Sequence, residues 1–90
     1  MSQLKMTIFT QQNCPRCPAA KKIVNELKLE KQFTLEEINA ASDEGYFEAI
    51  KHNIMSTPAI ILTRDDGFET KLTGDISRDA IISKINELGG

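Results

Sequence analysis

The sequence predicts an α/β fold in the order β-α-β-α-β-β-α, with a four-stranded mixed sheet and helices on both of its faces. Apolar, β-branched runs recur along the chain, and segments with the apolar spacing of a helix separate the first three of them. An Asp-Gly turn joins the last two runs. Because parallel strands need a crossover and a hairpin does not, a βαβ unit followed by a hairpin and a closing helix predicts this arrangement.

The first part of the chain predicts a strand followed by a helix. Residues 5–10 are apolar and β-branched with no breaker among them, which predicts a buried strand. After a short polar turn, a helix is expected to begin at the cysteines, because Pro15 suits the first helical position and Pro18 is still within the first turn. The apolar stripe expected on this helix consists of Ala20, Ile23, Val24 and Leu27.

The second strand and second helix follow directly. Residues 33–38 alternate loosely between polar and apolar side chains and predict a strand. Ser42 followed by the acidic residues Asp43 and Glu44 predicts the start of a helix, because acidic side chains favour the first turn. The residues expected to face the core from this helix are Phe47, Ile50 and Ile54.

The last part of the chain predicts a hairpin and a closing helix. Residues 59–63 form the most apolar run and are expected to be a central strand, and Asp66-Gly67 is the strongest hairpin signal present. Residues 68–73 are then the returning antiparallel strand, and Ser77 is suited to cap the last helix. The apolar face expected on that helix consists of Ala80, Ile81, Ile85 and Leu88.

Composition excludes several classes of function. Residues 1–90 are expected to form one domain, because so short a chain leaves no room for a second core. The net charge of −2, from 11 basic and 13 acidic residues, argues against a nucleic-acid partner. There is no apolar run near the ~20 residues that cross a bilayer, and the N-terminus has no signal-peptide pattern. A cytoplasmic location without membrane attachment is expected, where thiols stay reduced.

The two cysteines of the chain lie three residues apart, as Cys14-Pro15-Arg16-Cys17 between a predicted strand and a predicted helix. This spacing and context are typical of a redox motif. A cysteine at or just before a helix N-terminus can have its pKa lowered from ~8.5 into the range ~3.5–7.5, and Arg16 adds a positive charge nearby. Cys14 is therefore the expected nucleophile, and Cys17, one turn deeper, is expected to resolve the mixed disulfide.

Two other interpretations of the cysteine pair remain open. It could be a structural disulfide, or it could be part of a metal site in a binding module that has no turnover. A zinc site needs about four ligands, and this chain offers no third cysteine and only His52, so no metal is expected. His52 is more typical of a residue at a helix C-terminus than of a general base.

Thr57-Pro58 precedes the predicted central strand. In a sheet of the predicted order, the loop that carries this dipeptide and the cysteine loop meet at the same end. A cis peptide bond there would expose the Thr57 backbone N–H and C=O to an extended ligand. Cis bonds occur in only ~5–6% of X-Pro cases, so the dipeptide alone does not predict one.

Together these motifs resemble the thioredoxin superfamily in its short glutaredoxin-like form, over residues 6–88. The resemblance implies the compact thioredoxin fold and a redox-active Cys14–Cys17 disulfide, with no other bound cofactor. It also implies that Thr57 offers backbone hydrogen bonds beside a cis-Pro58. The remaining motif is Gly74-Asp75, which would lie where glutaredoxins hold the glutamyl end of glutathione.

Departures from the family patterns leave the electron donor open. Gln11 stands where glutaredoxins carry a lysine, Arg16 stands where they carry an aromatic residue, and the chain has no tryptophan. Glutathione is therefore one possible co-substrate, and an upstream flavin reductase is the other. The Cys-Pro-Arg-Cys-Pro run is also similar to small prokaryotic redoxins that a thioredoxin-reductase-like enzyme reduces, some of which serve ribonucleotide reductase. The expectation is a monomeric carrier that reduces disulfide-bearing proteins.

Overall fold

The computed structural model describes residues 4–31, 33–74 and 76–88. Its elements follow the predicted order, and each predicted strand lies within one residue of the observed one. They are β1 (Leu4–Thr10), α1 (Cys17–Glu30), β2 (Thr34–Asn39), α2 (Asp43–Lys51), β3 (Ala59–Arg64), β4 (Glu69–Thr73) and α3 (Arg78–Glu87). In the described part of the chain, none of the helices is long and apolar enough to cross a membrane.

The four strands form one mixed sheet in the order β2-β1-β3-β4. β1 pairs parallel with β2 and antiparallel with β3, and β3 pairs antiparallel with β4. The two most apolar strands therefore lie in the centre, where both of their faces are covered. The register places Phe9 opposite Ala59. This brings the start of β3, and the loop before it, to the end of β1 where the cysteine loop begins.

Helices α1 and α3 cover one face of the sheet and enclose its larger core. Arg78 at the start of α3 also pairs with Glu30 at the end of α1, which ties the two helices together. The predicted stripes of both helices are confirmed, with Ile23 and Ala80 half-buried at their edges. The buried members of this core are Leu4, Met6, Ile8, Ala20, Val24, Leu27, Ile60, Leu62, Ile81, Ile85 and Leu88.

Helix α2 covers the other face, and the prediction for its core residues was wrong in two of three positions. Phe47 and Ile50 are 72% and 56% exposed. Ile54 packs against the core as expected, but from the segment that follows the helix, which ends at Lys51. The helix approaches the sheet through Gly45 and Ala49, which are both buried. The smaller core on this face consists of Phe9, Ala49, Ala59 and Ile61.

Close approach is the physical reason for this difference. A Cβ atom placed on Gly45 would overlap the backbone carbonyl of Asn39, the last residue of β2. Only glycine fits there, so the Gly45–Ala49 side of α2 faces the sheet. The larger apolar side chains of the helix are turned outward as a result.

The predicted turn and caps are confirmed. Gly67 in the β3–β4 turn has a φ of +94°, in the region that favours glycine. Ser42 caps α2 by accepting a hydrogen bond from the Gly45 backbone N–H at 3.0 Å. Ser77 caps α3 in the same way, from the Ala80 N–H at 3.1 Å. Each hydroxyl satisfies an N–H that the helix itself leaves unpaired.

Candidate active site at the cysteine loop

A disulfide joins Cys14 and Cys17 in the loop that leads from β1 into α1, and their Cα atoms are 5.4 Å apart. This separation lies within the usual range for a disulfide, so the bond needs no displacement of the backbone. Asn13, directly before Cys14, has a φ of +65°, which asparagine tolerates better than most residues. The chain therefore turns sharply as it leaves the sheet and presents the cysteine pair at the edge.

Helix α1 begins at Cys17, later than the sequence predicted. The Cys17 N–H donates to the Cys14 carbonyl at 3.3 Å in a turn, and the first helical bond runs from the Ala20 N–H to the Arg16 carbonyl at 3.2 Å. Pro18 is the second helical residue, where its missing N–H costs nothing. Pro15 therefore lies in the turn before the helix and not at its first position. Cys17 is the first residue of α1 and not a residue one turn into it.

The two cysteines differ in exposure. Cys14 is partly exposed, whereas Cys17 is 4% exposed and packs beneath the loop. Both lie next to the N-terminus of α1, where unpaired N–H groups and the positive end of the helix dipole favour a thiolate over a thiol. A thiolate is the form that attacks a disulfide. The arrangement therefore offers one sulfur to a partner and keeps the other behind it.

A hollow of about 640 Å³ opens on one side of the disulfide. Its walls include both cysteines together with Thr10, Lys21 and Glu37. Thr10 donates its hydroxyl to Glu37 Oε2 at 3.2 Å, and Lys21 Nζ lies 3.2 Å from the same oxygen. The carboxylate is thus held in place by β1 and α1 at the rim of the hollow. This group provides fixed charges of both signs beside the cysteine pair.

The sequence interpretation missed the Thr10–Glu37–Lys21 group. Glu37 belongs to β2, and it comes near the cysteines only because β2 pairs parallel with β1, with Ile8 opposite Glu37. The carboxyl ends of parallel neighbouring strands meet at one edge of a sheet. Applied to the predicted strands, this rule would have indicated the last residues of β2 as neighbours of the cysteine loop.

A smaller hollow, of about 230 Å³, opens on the other side of the cysteine loop. It brings together three of the predicted site residues, Pro15, Arg16 and Pro58, and a fourth, Gly74, lies on its wall. The Thr57–Pro58 peptide bond is cis, which confirms the expectation drawn from the family resemblance. Gly74 has a φ of +81°. Its predicted neighbour Asp75 lies outside the described residues.

Gln11 and Thr57 connect the two loops at this edge. The Thr57 hydroxyl lies 3.5 Å from Gln11 Oε1, at the outer limit of a hydrogen bond. Gln11 also lines the hollow beside the cysteines. The Gln11 amide therefore lies close to both the cysteine pair and the residue before the cis-proline.

His52 lies away from the cysteine loop, at the C-terminal cap of α2. Its Nδ1 is 3.1 Å from Glu69 Oε1, and its Nε2 is 3.9 Å from Glu48 Oε2. This position agrees with the interpretation of His52 as a helix-terminal residue. Among residues 4–31, 33–74 and 76–88, there is no group of three or more His, Cys, Asp or Glu side chains that could hold a metal ion.

Comparison with known proteins gives both sequence and structural relatives. A family model described as a thioredoxin domain matches residues 4–87. A thioredoxin of Methanocaldococcus jannaschii is 31% identical over 87 residues, which are 97% of this chain and 98% of that protein. The structure of a mutant thioredoxin from Halobacterium salinarum covers 94% of this chain and 74% of its own, with a TM-score of 0.82 at 19% identity. Thioredoxin O2 from Arabidopsis thaliana, in its oxidised state, gives a TM-score of 0.81 at 16% identity, covering 96% and 75%.

Proposed function

The chain belongs to the thioredoxin family and is a dithiol–disulfide oxidoreductase, and we propose that it reduces disulfides in other proteins, with Cys14 as the attacking residue and Cys17 as the resolving residue. One observation carries this assignment of roles. Cys14 is partly exposed, whereas Cys17 is 4% exposed. Attack on a partner's disulfide needs a sulfur that the partner can reach, while resolution needs only a sulfur that reaches Cys14.

The proposed reaction has two exchange steps. The Cys14 thiolate attacks one sulfur of the substrate disulfide, so a mixed disulfide forms, the substrate S–S bond breaks, and the departing thiolate takes up a proton. The Cys17 thiolate then attacks the Cys14 sulfur, which forms the Cys14–Cys17 disulfide and releases the second substrate thiolate to be protonated. Two electrons pass from the dithiol to the substrate. An external thiol or dithiol donor must then reduce the protein again.

We assign substrate positioning to the residues around the smaller hollow. The backbone of Thr57 beside Pro58 supplies a peptide N–H and C=O close to the cysteine loop, where an extended substrate segment could pair with them. Gly74 forms part of the same wall without a side chain to obstruct the approach. Arg16, between the two cysteines in sequence, supplies a positive charge that favours the Cys14 thiolate.

A flavin-containing reductase is the proposed electron donor, with glutathione as the alternative. Glutathione carries carboxylates that a glutaredoxin lysine would pair with, and this chain has Gln11 in that position. An uncharged amide forms a weaker hydrogen bond to a carboxylate than an ammonium group does. Asp75, the other residue expected at the glutathione site, is outside the described residues. The proposal therefore favours a protein donor.

The proposed setting is the cytoplasm, where thiol pools keep a dithiol carrier reduced. In that setting the protein would act as a monomer that shuttles electrons between a reductase and disulfide-bearing enzymes. Ribonucleotide reductase is one candidate client, because it forms a disulfide that needs a dithiol donor. The resemblance to small prokaryotic redoxins supports this choice of client.

Reduction of insulin disulfides with dithiothreitol as donor tests the proposed function. The wild-type protein should accelerate insulin precipitation, and Cys14→Ser should return the rate to that of dithiothreitol alone. Equal activity of the two proteins, or inactivity of both, would contradict the proposal. Inactivity together with zinc or iron at one equivalent per chain would instead indicate a binding module.

A second assay separates the two donors. We expect slow reduction of the disulfide by glutathione coupled to glutathione reductase, and fast reduction by an archaeal flavin disulfide reductase, since several sequence relatives are archaeal. Gln11→Lys should raise the glutathione-dependent rate, because it supplies the cation that a glutathione carboxylate needs. Fast glutathione turnover by the wild-type protein would contradict the choice of a protein donor.

A further inference from the structure

Three large apolar side chains lie exposed on the outer side of α2. Tyr46, Phe47 and Ile50 are 62%, 72% and 56% exposed. Residues three and four apart on a helix are neighbours, so Ile50 adjoins both aromatic residues and the three form one continuous surface. With aromatic side chains of 150–250 Å² each, the two rings alone expose on the order of 250 Å². We call this surface, formed by Tyr46, Phe47 and Ile50, the α2 patch.

The packing of α2 fixes the outward orientation of this patch. Gly45 lies too close to the Asn39 carbonyl to admit any side chain, and Ala49, one turn later, is buried on the same side. Rotating the helix to bury Phe47 would remove both contacts. The Ser42 cap also fixes where the helix starts. A typical monomeric protein exposes few apolar patches of more than a few hundred Å², and the largest patch on a protein often has a function.

Acidic side chains border the patch at its N-terminal end. Asp43 and Glu44 lie one turn before Tyr46 and Phe47. Within the described ranges, neither carboxylate has an ion-pair partner. Such a border favours a partner that presents lysine or arginine around apolar side chains, because complementary charges steer the encounter and fix its register.

The nearby cations do not neutralise this border. Lys51 at the end of α2 lies 3.5 Å from Glu48, and Lys5 on β1 lies 3.2 Å from Glu36 on β2. Each lysine is thus already opposed by a carboxylate of its own. The surface between β2 and the first turn of α2 therefore keeps an excess of negative charge.

The patch is continuous with the surface around the disulfide. A hollow of about 830 Å³ runs between β2 and α2, and Phe47 forms part of its wall. Glu37 and Asn39 line this hollow and also line the one beside Cys14. A substrate bound at the disulfide could therefore extend along this side of the molecule to α2.

We propose that the α2 patch docks a basic, apolar segment of the disulfide-bearing proteins that this chain reduces, at a distance from the disulfide itself. The inference rests on the proposed function, since it names the class of substrate preferred at that site. Phe47 and Ile50 provide the apolar contact, and Asp43 and Glu44 provide the charge complement. Tethering of this kind raises the effective concentration of the substrate disulfide at Cys14 without changing the chemistry there.

Three synthetic peptides provide the test. Each carries the same small disulfide-closed loop, and the first peptide consists of that loop alone. The second adds a Gly/Ser linker of eight residues and a segment of leucines and lysines, and the third has glutamates in place of the lysines. An extended linker of that length spans about 26–29 Å. The two shorter dimensions of the molecule are 25 and 18 Å, so a linker of this length is comparable with the width of the molecule.

We expect the wild-type protein to reduce the basic peptide with a kcat/KM about tenfold above that of the loop alone, a typical effect of a few well-placed anchors. The acidic peptide should show no such gain. The double variant Phe47→Ser/Ile50→Ser should lose the gain and keep the wild-type rate on the loop alone. Asp43→Lys/Glu44→Lys should reverse the preference between the basic and acidic peptides.

Leu29→Ser is the matched control, because Leu29 is an apolar residue on α1 that is 89% exposed. It should retain the full preference for the basic peptide. An unchanged preference in Phe47→Ser/Ile50→Ser would overturn the proposal. So would a wild-type dimer in sedimentation that this double variant abolishes, because the patch would then be occupied by a second copy of the chain. Failure to reduce even the loop peptide would overturn the proposed function instead.

Discussion

Helices α1 and α3 on one face of the sheet and helix α2 on the other are built from different kinds of residue. The first pair presents long aliphatic side chains such as Val24, Leu27 and Ile85, and these are buried almost completely. Helix α2 meets the sheet through Gly45 and Ala49, and keeps its large apolar residues on the outside. The same sheet thus has a thick core on one side and a thin one on the other.

This difference indicates that the two faces have different roles, one in stability and one in contact with other molecules. Burial of apolar surface is the dominant favourable term in folding, so the α1/α3 face should supply most of the stability. The α2 face contributes less burial and leaves a surface free for contact with other molecules. The disulfide lies at the edge of the sheet where β1 ends, and this edge borders both faces.

A pair of substitutions tests this division most strongly. Leu27 is 0% exposed, so Leu27→Ala should lower the free energy of unfolding by about 2–5 kcal/mol through lost burial and a cavity. Phe47→Ala removes a larger side chain, but one that is mostly in water, so its effect should stay within about 0.5 kcal/mol. Urea denaturation of the two variants measures both values. Equal losses would show that the two faces share the stability.

The close packing of α2 against the sheet should give the next largest effect on the free energy of unfolding. Replacing glycine with alanine inside a helix normally adds about 0.5–1 kcal/mol of stability. Gly45→Ala should do the opposite and cost about 1–3 kcal/mol, because the new methyl group overlaps the Asn39 carbonyl. Glu44→Ala, at the exposed neighbouring position, is the control. A more stable Gly45→Ala variant in the same urea assay would show that α2 is not held against β2 as described.

The helix caps allow a comparison of the two faces, because α2 and α3 each begin with a capping serine. Ser42 and Ser77 each accept one backbone hydrogen bond, at 3.0 and 3.1 Å, and both are exposed. Ser77→Ala should therefore cost about 1 kcal/mol. Ser42→Ala should cost about 1 kcal/mol more, because the Ser42 hydroxyl also donates a hydrogen bond to the Asn39 carbonyl at 2.7 Å. Thermal unfolding followed by circular dichroism would measure the two losses. A loss at Ser42 that exceeds the loss at Ser77 by more than this one extra hydrogen bond would indicate that α2 depends on its cap because the helix buries little apolar surface.

The smallest effect is expected in the β3–β4 turn, which belongs to neither face. Hydrogen bonds from the Arg64 guanidinium and then from the Phe68 N–H lower the pKa of Asp66 from 3.8 to about 2. Since the folded pKa lies below the unfolded value, the carboxylate stabilises the protein above pH 3.8, and this contribution is lost as the pH falls towards 2.

Asp66→Asn should therefore lower the urea midpoint slightly at pH 6, and the gap from the wild type should narrow between pH 4 and pH 2. The carboxylate is solvent-exposed, so the gap is expected to be small even at pH 6. Denaturation curves recorded across this pH range would measure it. A gap that widens as the pH falls would contradict the assigned sign.

Strands and helices were predicted well where one physical pattern dominates. Residues 59–63 contain only apolar and β-branched side chains, and the Ala20, Val24 and Leu27 stripe matches the helical repeat. Hydrophobic periodicity alone determines such elements. The cysteine pair was equally visible, because its chemistry depends on spacing within one short segment.

The α2 error shows where the pattern stops being sufficient. Phe47 and Ile50 were assigned to the core because they are the large apolar residues of that helix. A second stripe, Gly45 and Ala49, was available four residues apart, and it admits a closer approach to the sheet. The distance between α2 and β2 decides which of the two stripes faces the sheet. That distance follows from the whole fold.

The site was predicted least well where it depends on strand register. Glu37 lies beside the cysteines because of the parallel pairing of β1 with β2, and no local feature of residues 34–39 points to the cysteine loop. The start of α1 at Cys17 depends on Pro18, whose missing N–H prevents a helical bond back to Cys14. Thr57 and Pro58 were identified through the family resemblance and not through local chemistry.

The most direct measurement concerns the two roles assigned to the cysteines. Reduced Cys17→Ser and reduced Cys14→Ser would each be mixed with native, disulfide-bonded insulin, quenched in acid and examined by mass spectrometry. If Cys14 attacks and Cys17 resolves, Cys17→Ser should accumulate a mixed disulfide at Cys14, because attack proceeds and resolution cannot. Cys14→Ser should form little adduct, because Cys17 is buried. Faster adduct formation at Cys17 would contradict the account.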